Sequence, residues 1–176
     1  TFTVLDTRVT NKTGSASWST LVAGTYNLEL YGPDGAFWGS DTISVKSDAT
    51  TTSIQRTAPR LSRVVLSGDN NGDGGFYGGQ PITISPEVLN DGPVRPVRVS
   101  IQVDVNNDDT EEKQVMRGDL KTPIGSNEIG YFGFDYDPST DGVKQVRVVT
   151  EAYINNAWTM TDRSEWVKRF VGEHNI

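Results

Sequence analysis

Cysteine is absent from this chain, and histidine occurs once, at His174. The first absence excludes disulfides, thiolate nucleophiles and zinc–thiolate sites. The second leaves a Ser-His-Asp triad dependent on a residue that falls in what reads as a tail, so no such triad is expected. No apolar run approaches the roughly 20 residues of a membrane span, and no signal peptide is visible. Lys and Arg number 16 against 23 Asp and Glu, a formal net charge of −7. The clustered cations that a nucleic-acid backbone demands are therefore missing. Hydrophobic residues make up only 35% of the chain, and the Ala-, Leu- and Met-rich runs that build helices do not occur.

What is present points to an all-β chain. Val and Thr are abundant, and 18 glycines supply many turns. The clearest periodicity is at 97–105, where Val97, Val99, Ile101, Val103 and Val105 alternate with Arg98, Ser100, Gln102 and Asp104. That is a strand with one buried and one wet face. Further strands are expected at 61–66, 82–89, 113–116, 128–136, 144–154 and 166–171. Between them lie turn signals such as Asn90-Asp91-Gly92-Pro93, Asp141-Gly142 and Asn155-Asn156. Residues 1–56 repeat the pattern with Phe2, Val4, Tyr26, Leu28, Leu30, Ile43 and Val45. Thr57-Ala58-Pro59-Arg60 makes the best boundary, because proline interrupts strand pairing there. The expectation is two tandem β-sandwich domains, 1–58 and 59–176. Thr1 lies within a strand-like segment, so the chain is expected to be a piece of a longer protein, its first domain cut short at the amino end.

The stretch from Gly14-Ser15-Ala16-Ser17-Trp18 through Leu21, Gly24, Tyr26 and Leu28 resembles prealbumin-like modules. These include carboxypeptidase regulatory-like domains and the B-type repeats of bacterial collagen adhesins. The resemblance implies a turn glycine, an inward aromatic, a tight turn at Gly24 and a strand led by a buried tyrosine. In the adhesin repeats a glutamate four residues after the tyrosine promotes an isopeptide bond; here that position is Leu30, and Glu29 faces the opposite way. The stretch from Ser67 through Gln80-Pro81-Ile82 to Asn90-Asp91-Gly92 resembles immunoglobulin-like modules appended to secreted bacterial and archaeal hydrolases. What it implies is an accessory domain, in some cases calcium-stabilised. The fold class expected is thus prealbumin-like, then immunoglobulin-like.

Calcium is the one cofactor suggested. Asp69, Asn71 and Asp73 present side-chain oxygens at every second residue, Gly74 follows where a sharp turn is required, and the Gly75 carbonyl offers a further ligand. The twelfth position, where a helical calcium hand has a bidentate glutamate, is Gln80. The rival interpretation is a plain turn rich in residues that tolerate left-handed backbone. A second acidic run, 104–112, has oxygens but no glycine to bend it, and reads as a solvated hairpin tip. Asp135 and Asp137 share a strand face at a strand end.

Four aromatics are candidates for ligand binding: Trp38 beside the Pro33-Asp34-Gly35 turn, Phe76 and Tyr77 in the glycine loop, and Trp158 after Asn155-Asn156. Flat indole and phenol faces stack on sugar rings, although the same residues serve equally well as packing. Trp166 and Phe170 read as the closing strand of the second core. No catalytic residue is assigned, because no spacing singles out a reactive pair. The functional expectation is a non-catalytic spacer or accessory module of a larger extracellular or cell-surface protein. Its partners would be the parent's other domains, a polysaccharide or a surface protein. A carbohydrate-binding module and an adhesin or pilus-type subunit are the alternatives.

Overall fold

The computed structural model describes residues 5–11, 15–19, 21–46, 50, 52–68, 76–77, 81–106, 108–110, 113–116, 122–136, 145–167 and 170–171. The chain is all-β: β1 (Gly24–Tyr31), β2 (Phe37–Val45), β3 (Arg60–Ser67), β4 (Phe76–Tyr77), β5 (Ile82–Asn90), β6 (Arg95–Asp104), β7 (Lys113–Met116), β8 (Thr122–Ile124), β9 (Glu128–Tyr131), β10 (Phe134–Tyr136), β11 (Gln145–Ile154), β12 (Ala157–Arg163) and β13 (Phe170–Val171). It forms two compact units that are not consecutive in sequence: 1–28 with 41–53, and 29–40 with 54–176. Segments 29–40 and 54–58 thus belong with the larger unit.

In the smaller unit no described residue is buried, and Leu5, Val9 and Val22 are exposed. Trp18 and Tyr26, expected in a core, are half-buried. The Tyr26 hydroxyl donates to the Val22 carbonyl at 2.8 Å.

The larger unit holds two sheets. One runs β10-β5-β3 with β9 also on β5; the other runs β12-β11-β6-β7 with β8 also on β6. Their facing sides share a single apolar cluster. Ile82, Ile84 and Val88 come from the first sheet, and Val97, Val99, Ile101, Val103, Val146 and Val148 from the second. At about 25 cal/mol per Å² of apolar surface, such burial is the main force holding the layers together.

Local chemistry explains the breaks. The expected strand at 128–136 divides into β9 and β10, which pair with Glu87–Asn90 and Ile82–Ile84 on the same edge of β5. Pro86, which has no N–H for a ladder, falls opposite the gap, where the Phe132 N–H donates to the Pro86 carbonyl at 3.0 Å. Asn155 and Asn156 both adopt positive φ (51° and 65°), the requirement of a two-residue type I′ hairpin, and Ile154 pairs with Ala157 across it. That hairpin creates β12, a strand the alternation pattern did not suggest.

The second face of 97–105 departs from expectation: it is not wet. Ser100 and Asp104 are as buried as their valine neighbours, and Gln102 is only slightly more exposed. Cross-strand partners on β11 cover them, since Gln102 pairs with Arg147 and Asp104 with Gln145. The Arg147 Nε donates to Gln102 Oε1 at 2.6 Å. A central strand buries its polar residues safely only when each has such a partner.

Asn90, fully buried, ties two turns together. Its amide nitrogen donates to the carbonyls of Pro93 (2.9 Å), Ile124 (3.0 Å) and Gly125 (3.2 Å), and its oxygen accepts from the Gly92 N–H at 3.2 Å. Gly92 is needed for close approach, because a Cβ there would sit 2.1 Å from the Thr57 carbonyl oxygen.

Candidate functional site

The larger unit contains a cavity of about 270 Å³ lined by Pro33, Asp34, Trp38, Arg147, Asp162, Arg163, Ser164, Glu165 and Trp166. Three pieces of chain build it. The turn after β1 closes with the Gly35 N–H donating to the Gly32 carbonyl at 3.0 Å, while Gly35 sits at φ 80°. Asp34 Oδ1 accepts from the Ala36 N–H at 3.2 Å, which leaves Oδ2 to meet Arg163 Nε at 3.2 Å. Gly32 is obligatory for a different reason: a side chain there would lie 2.7 Å from the Trp38 indole.

Trp38 is half-buried on β2. Its carbonyl accepts from both the Thr57 and Ala58 N–H groups at 2.9 Å, which fixes the following segment alongside it. The Arg56 guanidinium lies 5.1 Å from the Trp38 ring centre, within cation–π range. Arg56 also donates to the Thr161 carbonyl at 2.9 Å and pairs with Asp162 at 3.1 Å. The Trp38 indole Nε1–H is buried and has no acceptor.

The third wall comes from β11, the end of β12 and the residues after it. A register shift between Thr150 and Glu151 places one extra residue in β12, and such a bulge re-aims the side chains beyond it. Asp162 and Arg163 lie just past the bulge. Ser164 then clamps onto β11, with its N–H donating to the Val148 carbonyl and its hydroxyl accepting from the Val148 N–H, both at 2.9 Å. Trp166 is half-buried; the Arg147 guanidinium stacks 4.3 Å from its ring centre, and its Nε1–H donates to the Asp109 carbonyl at 3.1 Å. The cavity therefore combines two indoles, two guanidiniums and the exposed Glu165. Such a mixture has the chemistry to suit a small polar molecule with one apolar face.

Of the residues expected to bind a ligand, only Trp38 lines this cavity. Trp158 lies elsewhere on the second sheet, edge-on to Tyr153 (ring centres 5.4 Å apart, 63° between planes) and 4.5 Å beneath the Arg98 guanidinium. Arg98 in turn pairs with Glu151 through two bonds of 2.7 and 3.0 Å. Phe76 and Tyr77 form β4, which runs parallel to Phe170–Val171. Asp69, Asn71, Asp73 and Gly75 fall outside the described residues, as do His174 and Asp137. Asp135 accepts a 2.7 Å bond from the Thr83 hydroxyl.

Of the expected closing strand at 166–171, Val167 makes a single bridge to Val146, and Phe170–Val171 pair with β4. Arg147, Arg163 and Trp166 were not anticipated as site residues. For Arg163 and Trp166 the sequence signal was the run of charged and aromatic residues from Trp158 to Trp166; Arg147, on β11, had none.

No family model matches the sequence, and no curated protein is a significant match. Among solved structures, the C-terminal domain of Wzt is similar, with a TM-score of 0.52 at 11% identity over 68% of this chain and 75% of that one. At that identity the likeness concerns the fold alone, and it agrees with a β-sandwich. Among the described residues no helix is long and apolar enough to cross a membrane.

Proposed function

We propose that this chain is a non-catalytic accessory module of a larger extracellular or cell-surface protein, and that it holds a carbohydrate residue in the cavity beside Trp38. Two modules, the first prealbumin-like and the second immunoglobulin-like, belong to the same proposal. The observation that carries the ligand assignment is the cavity itself, where the Trp38 and Trp166 indoles stand beside Arg163 and Glu165. The indoles would cover the apolar C–H faces of a sugar ring, while Glu165 accepts from its hydroxyls. The volume lies just under the range of roughly 300–1,000 Å³ for drug-sized ligands, which suits one residue of a polymer.

A spacer role without a ligand is the second reading. It is favoured by the Arg56–Trp38 stack and the Arg163–Asp34 pair, which already engage groups a sugar would use. Affinity electrophoresis of the whole chain through gels cast with soluble polysaccharides separates the two. Retardation that Trp166→Ala and Glu165→Gln both weaken, with folding intact by circular dichroism, supports binding at the cavity. Retardation insensitive to both changes, or none across neutral, acidic and basic polysaccharides, leaves the spacer role.

A further inference from the structure

The sheet that carries β11 turns only one of its sides to the core. From β11 the core takes Val146, Val148, Ala152 and Ile154. Side chains alternate along a strand, so Arg147, Val149, Glu151 and Tyr153 lie on the opposite face. Register carries that face onto the neighbouring strands. Arg98 on β6 is opposite Glu151, and on β12 Trp158 is opposite Tyr153 and Arg163 is opposite Val149.

The two ends of this row carry the same chemistry. At the cavity end the Arg147 guanidinium lies 4.3 Å from the Trp166 ring centre. At the far end the Arg98 guanidinium lies 4.5 Å from the Trp158 ring centre, and Tyr153 meets the same indole edge-on. Each arginine has a further partner that holds it in place, Gln102 for Arg147 and Glu151 for Arg98. Tyr153 is 43% exposed on a strand where its neighbours Ala152 and Ile154 are 0% and 7% exposed. Packing against the core therefore does not account for an aromatic ring at that position.

Arg147 and Tyr153 are six residues apart on β11. At about 3.3 Å per residue the two platforms stand about 20 Å apart. That span exceeds one sugar ring and suits a short run of linked rings. The charges between the platforms are paired, Arg98 with Glu151 and Arg163 with Asp34. A ligand lying along the row meets aromatic faces and neutralised ion pairs, which complement hydroxyl-bearing rings of little net charge.

We propose that the cavity is one end of a longer site, and that a neutral polysaccharide lies across the outer face of this sheet from Trp166 to Tyr153 and Trp158. The proposal rests on the cavity reading above and makes its ligand a stretch of chain rather than a terminal residue. A repeated aromatic–guanidinium unit fits a repeating ligand, because successive rings present the same apolar face and hydroxyl rim. A lone small molecule in the cavity would leave the second unit without a use.

Titration calorimetry of the whole chain with gluco-, manno- and xylo-oligosaccharides graded in length tests this. Affinity should climb with length until the ligand spans about 20 Å and then level off. Tyr153→Ala, at an exposed position, should cost the longest oligosaccharides about tenfold in affinity and spare the shortest, which fill only the cavity. Trp158→Ala, with folding checked by circular dichroism, reads the same platform a second time. Trp166→Ala should weaken every length. Equal affinity at all lengths, or long chains indifferent to both Tyr153→Ala and Trp158→Ala, overturns the extended site while the cavity stands. Tighter binding of uronate oligosaccharides than of neutral ones of equal length overturns the neutral assignment. Binding indifferent to Trp166→Ala, or none from any series, overturns the cavity reading and the extended site with it.

Discussion

Replacing Asn90 by alanine is the sharpest test of how this sandwich is held together. The side chain makes three donor contacts and one acceptor contact, linking the turn between β5 and β6 to the turn between β8 and β9. Truncation removes all four and strands the Gly92 N–H in buried surroundings. Each net bond contributes about 1 kcal/mol, and the stranded group costs about 1–3 kcal/mol. Water reaching the outer contacts offsets part of this, so the expected loss is about 3–5 kcal/mol. For a chain of this size that corresponds to a fall in melting temperature of roughly 10 °C.

Urea unfolding followed by circular dichroism reads the change as a shifted midpoint with an unaltered slope. Asn90→Asp sharpens the test. The new carboxyl would face three carbonyl oxygens in a dry site, so its folded-state pKa must lie above the unfolded value of about 3.9. A raised pKa contributes stability that is present below the unfolded value and lost as pH rises through the folded one. Asn90→Asp should therefore be less stable than Asn90→Ala at neutral pH and recover on acidification. A loss below about 1 kcal/mol for Asn90→Ala would refute the assigned role, since a single net bond already contributes that much.

Three further outcomes follow from the geometry. A double-mutant cycle on Arg98 and Glu151, whose side chains are only 21% and 15% exposed, should give a coupling of about 1–2 kcal/mol by urea unfolding. A coupling near zero would show the pair to be a surface contact. Gly92→Ala should cost about 2–3 kcal/mol, because the methyl group meets a backbone carbonyl rather than a yielding side chain; a neutral melting temperature would contradict this. Burial, and then the hydrogen bond to Glu29 and its negative charge, raise the pKa of Tyr31 above its ordinary value of 10.0. Its contribution is complete below that value and declines as pH climbs through the raised one. Tyr31→Phe should flatten the alkaline loss of stability, and an identical pH profile for both proteins would sink the point.

Much of the strand pattern was legible because side-chain alternation is a local property. Val97, Val99, Ile101 and Val103 bury themselves in any register that places them on one layer. Two adjacent asparagines announce a hairpin for an equally local reason, tolerance of positive φ. The polar half of the same strand misled, because a serine, a glutamine and an aspartate read as wet until cross-strand partners are known. Trp38 was found as a candidate from its turn. Trp166 was assigned to a core, since nothing near it in sequence indicates that Arg147 would stack on it.

The order of residues by itself determined an all-β chain, its main turns and its apolar layer, since alternation and turn chemistry act between near neighbours. Tertiary structure alone decided which residues line a common cavity, joining Asp34 to Arg163 and Trp38 to Arg56. It also decided that a buried glutamine from β11 lies against the aspartates leaving β6. Such pairings depend on sheet register and on a bulge, and these are settled by packing across the whole sandwich rather than by any short stretch of chain.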